Sequence, residues 1–206
     1  MIVLLHPTFF PSIATFVAIC NAENVIFEVQ DNYQKQTYRN RTHIYGANGK
    51  LAINVPVHYT QKNRQKYKDV KISNVTNWQS INWKSIESAY RTSPYFEYYE
   101  DELKHLFTSK EENLLTYNFK CLDCILECLQ LDLNYEKTKI FEVKPKDILD
   151  LRNLVNVRKE KEILLKPYIQ VFANKHGFLN NLGILDLLFN EGPNTLNYLE
   201  SQELSN

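Results

Sequence analysis

The residues best suited to chemistry crowd into one stretch near the start of the chain. Residues 32 to 49 read NYQKQTYRNRTHIYGANG. Lys35, Arg39, Arg41 and His43 stand there among Tyr33, Tyr38, Tyr45 and the amides Asn32, Gln34, Gln36 and Asn40. A guanidinium binds a carboxylate or phosphate through two parallel hydrogen bonds, and a lysine supplies a point charge. Lys35, Arg41 and His43 are therefore candidate anion anchors, with Tyr38 and Asn40 as candidates to orient a polar substrate. His6, in LLHPT, ends an apolar run just before a helix signal, where ligands of open α/β sheets bind. An imidazole titrates near neutral pH, so His6 is the first candidate for proton transfer and His43 the second. Arg91 is a further candidate substrate contact. Each has a bland counterpart: a charged edge strand for residues 37–45, a histidine that shapes the Pro7 turn, and an i,i+4 pair with Glu87 for Arg91.

Other motifs carry less. Cys121, Cys124 and Cys128 in CLDCILEC fall on one helical face that continues from Leu114 and Tyr117, the pattern of core packing. A zinc site would need a fourth ligand and a loop between ligand pairs, so no metal is expected. With only 5 glycines the chain has no phosphate-cradling Gly-rich loop, and no cofactor is expected. Residues 58–71, HYTQKNRQKYKDVK, hold five cations against Asp69 and read as an exposed loop. Tyr59 and Tyr67 interleave with those cations, a pattern shared with single-strand nucleic-acid binders and with solvated faces.

The elements that position these groups follow from periodicity. IVLL at 2–5 reads as a buried strand, Ile13, Phe16, Val17 and Ile19 as a helix face, and residues 24–29 as a second strand. Leu51, Ile53, Val55 and Val57 alternate, and Asn48-Gly49 signals a turn, so residues 37–45 and 51–57 form a hairpin. VKIS at 70–73 and KIFEV at 139–143 are possible short strands. Helices are expected over 78–92, 95–107 and 111–131, and again over 183–199 around an Asn-Glu-Gly-Pro stop. Residues 134–166 are weakly patterned, and VRKEKEILLK (157–166) reads as exposed. The expectation is α/β: a mixed sheet from residues 1–75 covered by helices from 76–206, as a single domain.

The 206 residues carry 24 cations and 24 anions, a balance that argues against global affinity for DNA or a membrane surface. The apolar N-terminus lacks a basic leader and is interrupted by Pro7 and Pro11. No window reaches the length of a membrane span. A cytoplasmic protein with clustered, reduced cysteines is the expectation.

Several strings together, HPTFFP, NYQKQTYRNRTHIYGANGKLAINVPV, WKSIESAYRTSPYFEYY and LGILDLLFNEGP, resemble the WbqC-like protein family in order and spacing. The resemblance implies a place in surface-polysaccharide (O-antigen-like) biosynthesis. It also implies transfer of an aminoacyl (glycyl) group to an amino sugar, with a nucleotide-sugar or aminoacyl substrate. Recurrent family features fall on His6-Pro7, Lys35, Asn40-Arg41, Pro56, Tyr90, Pro94, Phe96 and Asp186. The chain departs from the pattern at His6, at His43 where many members have arginine, and at Asn82-Trp83. A central segment is also reduced around 136–166. If that segment held half of an active site, this chain would be a non-catalytic member.

Two readings of different class remain: an enzyme of glycan assembly, and a non-catalytic binding or scaffold subunit of the same machinery, with a homo-oligomer or assembly partner open to either. An enzyme requires His6, Lys35, Arg41 and Arg91 to converge on a concave pocket beside a carboxylate such as Glu28 or Glu87. A scaffold requires them to scatter, with an exposed apolar patch elsewhere. The residues name no nucleophile.

Overall fold

The computed structural model describes residues 1–59, 64–157 and 163–204. The centre of the basic run (60–63) and most of the charged segment after 157 (158–162) lie outside the described residues, so those two readings are addressed only at their flanks.

The α/β class holds, with parallel and antiparallel pairing kept in separate sheets. β1 (Ile2–Leu5), α1 (Ile13–Cys20) and β2 (Asn24–Phe27) form the expected opening unit. β1 and β2 are the centre of a four-stranded sheet, ordered β7-β2-β1-β8, in which every pairing is parallel. Its edges are β7 (Tyr135–Lys137) and β8 (Leu149–Asp150). Both come from the segment that sequence patterning left blank. KIFEV is not a strand: residues 139–143 belong to the irregular connection between β7 and β8. Strands this short are held by their neighbours, so they carry too little periodicity to be read alone.

Val3, Leu5, Val25 and Phe27 point to one face of this sheet and join the main core. Phe27 meets Phe119 edge-to-face, and Phe119 stacks on Tyr135. Those contacts lay α4 (Leu114–Cys128) over β2 and β7. Cys121 and Cys124 are buried within α4, and the Cys124 thiol donates to the Glu102 carbonyl at 3.3 Å. α1 is opened by Ser12, whose hydroxyl accepts from the Thr15 amide.

The hairpin is β3 (Arg41–Gly46) with β4 (Gly49–Asn54), turning at Ala47-Asn48. β3 is not an edge exposed on one side, since Thr42 through Gly46 are all buried. The Tyr45 amide donates to the Tyr90 hydroxyl of α2 (Trp78–Tyr90). Thr42 donates to the Phe10 carbonyl, and the Gly183 amide donates to the His43 carbonyl. A Cβ on Gly183 would overlap the Thr42 hydroxyl, so only glycine lets α6 (Ile184–Glu191) approach β3 this closely.

β5 (Val57–His58) pairs with β6 (Lys71–Ile72). The flank of the basic run is not a free loop: Tyr67 is fully buried and its hydroxyl donates to the Pro7 carbonyl at 2.8 Å. α3 (Phe96–Lys104), the short α5 (Ala173–His176) and α7 (Thr195–Glu200) complete the described elements. Asp186 of α6 is fully buried and accepts from Tyr90 (2.8 Å), Gln170 (2.8 Å) and Tyr168. Its donors are all neutral, and burial raises its pKa. This network ties α2, α6 and residues 168–170 together.

Candidate functional site

The parallel sheet brings its carboxyl ends to one edge. His6 follows β1, Glu28 follows β2, Thr138 follows β7, Asp150 ends β8, and Arg152 stands two residues beyond it. Side chains leaving parallel strands on one edge converge, which is why such edges bind ligands. A cavity of about 470 Å³ opens there, lined by His6, Asp31, Gln34, Arg39, Asp150, Arg152 and neighbours.

Arg39 is its buried centre, at 0% exposure. Its Nη2 donates to Asp31 Oδ2 at 2.8 Å and to His6 Nε2 at 3.0 Å, and its guanidinium stacks over the Tyr67 ring. The loop that carries it is pinned on both sides: the Phe9 amide donates to the Tyr38 carbonyl and the Tyr38 amide to the Val155 carbonyl. Asn118 of α4 donates to the Arg39 carbonyl. Burial, and then the charges of Arg39 and Arg152, push the His6 pKa well below 6.5. His6 is a neutral ring at pH 7 and serves as an acceptor for Arg39.

Arg152 is held bidentately by Asp150, with Nε to Oδ1 at 2.8 Å and Nη2 to Oδ2 at 2.6 Å. The pairing keeps the Asp150 carboxyl below its usual range. Nη1 of Arg152 lies 3.6 Å from Glu28 Oε2, a buried oxygen with no hydrogen-bond partner. The other Glu28 oxygen accepts from the Gln30 amide and the Thr138 hydroxyl. Two arginines thus face three carboxylates, Glu28, Asp31 and Asp150. Each cation is already paired, so the cavity is not a bare anion site. It suits a ligand rich in hydroxyls and carrying an amine, for which paired carboxylates are acceptors.

The residues singled out from the sequence divide between this cavity and a second region. Of them, only His6 lines the cavity. Arg41 and His43 sit on the same face of β3, beside Lys50 across the hairpin. Arg41 makes no hydrogen bond or ion pair among the described residues, and its Nε is buried without a partner. His43 Nδ1 lies 3.3 Å from the Tyr38 hydroxyl, and the two rings meet edge-to-face. Burial, then Lys50 and Arg41, lower the His43 pKa to about 4. Lys35 is exposed, 4.7 Å over the Tyr59 ring, and Tyr59 packs on Tyr33. Asn40 is structural in its contacts, donating to the Val55 carbonyl that follows β4.

Tyr33 joins the two regions: its hydroxyl feels both Arg39 and Arg41. Arg91 is not brought in, and with Lys35 and Arg41 also outside the cavity the expected convergence of His6, Lys35, Arg41 and Arg91 on one pocket does not occur. Arg91 is 64% exposed at the end of α2 and pairs with Glu87. Sequence reading passed over Arg39, Asp31, Asp150 and Arg152. Arg39 stood two residues from the arginine that was chosen. Asp150-Leu151-Arg152 carried a usable signal, opposite charges two apart after an apolar pair, but no strand was recognised there. Among the described residues, no group of three or more His, Cys, Asp or Glu is placed to hold a metal ion. Among them, too, no helix is long and apolar enough to cross a membrane.

A family model described as the WbqC-like protein family matches residues 6–164. The chain belongs to the WbqC-like family. The matched span contains every polar residue of the cavity and of the hairpin face. A relative from Mycobacterium tuberculosis, the uncharacterized protein Rv1507c, is 22% identical over 224 residues, covering 96% of each chain. No solved structure matches.

Proposed function

We propose that this WbqC-like chain is a cytoplasmic enzyme of surface-polysaccharide (O-antigen-like) assembly that transfers an aminoacyl group to the amine of a nucleotide-linked amino sugar. The four residues expected to converge do not, and Ile140, Phe141 and Val143 are exposed, which is what the scaffold reading expects; the observation that supports an enzyme instead is the contrast between two adjoining regions. The cavity at the sheet edge offers carboxylates and paired arginines, which suit an amine and sugar hydroxyls. The hairpin face offers Arg41, whose Nε is buried without a partner, beside the uncharged ring of His43, which suits a phosphate, and Lys35 stands outside the hairpin over Tyr59.

In this reading Asp31 and Asp150 hold the sugar amine beside His6, and Arg41 holds the diphosphate. The bound ammonium first loses one proton to water, the neutral nitrogen attacks the activated acyl carbonyl, a carbon–nitrogen bond forms, and the bond to the leaving group breaks with its electron pair. The attacking nitrogen becomes strongly acidic once bonded to carbon, so a weak base suffices to take its proton. His6, neutral at pH 7, is that acceptor once its Nε2 gives up the hydrogen bond from Arg39. The test is a thermal-shift screen of nucleotide-linked amino sugars and aminoacyl donors. Stabilisation by the former is expected, and Arg41→Ala should remove most of it while keeping the melting temperature of the free protein. Stabilisation by none of them would favour the scaffold reading.

A further inference from the structure

Beside the cavity mouth, the connection from β7 to β8 exposes three large apolar side chains within four residues. Ile140 is 68% exposed, Phe141 42% and Val143 75%. Single exposed apolar residues are ordinary, whereas a cluster of this kind on one loop marks a surface that meets something apolar. The patch is continuous with the site, because Phe141 also lines the cavity. Arg152 fixes the loop at this place: Nη1 donates to the Glu142 carbonyl at 2.8 Å, Nη2 to the Val143 carbonyl at 3.1 Å, and the guanidinium stacks over the Phe141 ring. Thr138 anchors the start of the loop on Glu28. The loop is therefore held with Ile140 and Val143 outward and Phe141 between them and the cavity.

Exposed lysines flank the patch. Lys139, Lys144 and Lys146 stand against Glu142 and Asp147 within residues 139–147. Apolar side chains that enter the acyl boundary, with lysines at headgroup level, are the pattern of an interfacial anchor. The zero net charge of the whole chain conceals this local arrangement.

We propose that residues 139–146 dock the protein on an anionic lipid surface and present the mouth of the cavity to the bilayer. Ile140, Phe141 and Val143 enter the interface, and Lys139, Lys144 and Lys146 pair with lipid phosphates. The consequence for the site is that its mouth lies against the membrane surface. This inference concerns the loop alone and does not require the reaction proposed above.

The test is co-sedimentation of the full chain with vesicles of phosphatidylcholine, alone and mixed with phosphatidylglycerol, at low and at physiological salt. Binding to the mixed vesicles and little to phosphatidylcholine alone is expected. Ile140→Ser with Val143→Ser should abolish it, and Lys144→Glu should weaken it by about fivefold or more. Lys110→Glu, on a different surface segment, should leave it unchanged. All these side chains are exposed, so the melting temperatures should match that of the wild type. Failure to bind the mixed vesicles, or binding undiminished in the Ile140/Val143 double variant, would overturn the proposal. So would a dimer in solution that this double variant dissolves, since it would show that protein covers the patch. No substrate enters the assay, so its failure leaves the reading of the cavity standing.

Discussion

The sheet-edge cavity and the hairpin face adjoin across Tyr33 and treat charge in opposite ways. In the cavity, buried Arg39 has Asp31 and His6, and Arg152 has Asp150 and Glu28. On the hairpin, Arg41 has no ionic partner among the described residues, and it lowers the pKa of its neighbour His43. A balanced cluster is mutually dependent, because removing one member strands another in low dielectric. Arg41, by contrast, is left for a ligand. The first region is thus expected to tie stability to function, and the second to separate them.

The comparison is broken most readily at Asp31. Asp31→Ala strands the Arg39 guanidinium at 0% exposure, and a loss of about 3 kcal/mol in unfolding free energy is expected by denaturant titration. A loss below about 0.5 kcal/mol would show that the cavity charges are independent of one another.

Acid should act through the histidines of both regions. The folded-state pKa of His6 lies well below 6.5 and that of His43 at about 4. The unfolded chain then binds protons that the folded chain refuses. Stability is complete above about pH 6.5 and falls as pH drops below it, by up to about 1.4 kcal/mol per unit for each histidine. Asp186 acts in the opposite sense: its raised pKa stabilises the fold at low pH, and that contribution is lost as pH rises through the folded value. His6→Gln should reduce the acid slope between pH 6 and 5, measured by urea unfolding at each pH, to roughly half. An unchanged slope would mean that His6 is protonated in the folded protein.

Arg41→Ala should change stability by less than about 1 kcal/mol, since no charge is stranded, yet weaken an anionic ligand by about tenfold or more. Arg91→Ala sets the lower bound. Its exposed pair with Glu87 should contribute under about 0.5 kcal/mol, and ligand binding should not move.

Much of the frame was legible in the sequence. Apolar spacing placed α1 and α2, which start at Ile13 and Trp78, while the Ser12 cap of α1 was not read. The Leu51–Val57 alternation and the Asn48-Gly49 signal gave the hairpin, but β4 ends at Asn54, Val57 belongs to β5 and Leu51 is exposed. His6 could be placed at a strand end because IVLL is long enough to read. The cavity was only half legible, because β8 has two residues and its partners lie far away in sequence. Arg39 and Arg41 are two apart and chemically identical; only the turn before β3 sends one into the core and leaves the other on the hairpin face. Tyr67 looked solvated because its neighbours are charged, yet its ring fills the space between Pro7, Asn118 and Arg39.

The central claim is that amine and phosphates are read by different regions. Calorimetric titration of a nucleotide-linked amino sugar, beside its N-acetylated counterpart, tests it on wild type, Arg41→Ala and Asp150→Asn. The free amine should bind more tightly than the acetylated form. Arg41→Ala should weaken both alike, and Asp150→Asn only the free amine. Equal binding of the two ligands, or an Arg41→Ala protein that binds as well as the wild type, would contradict the account.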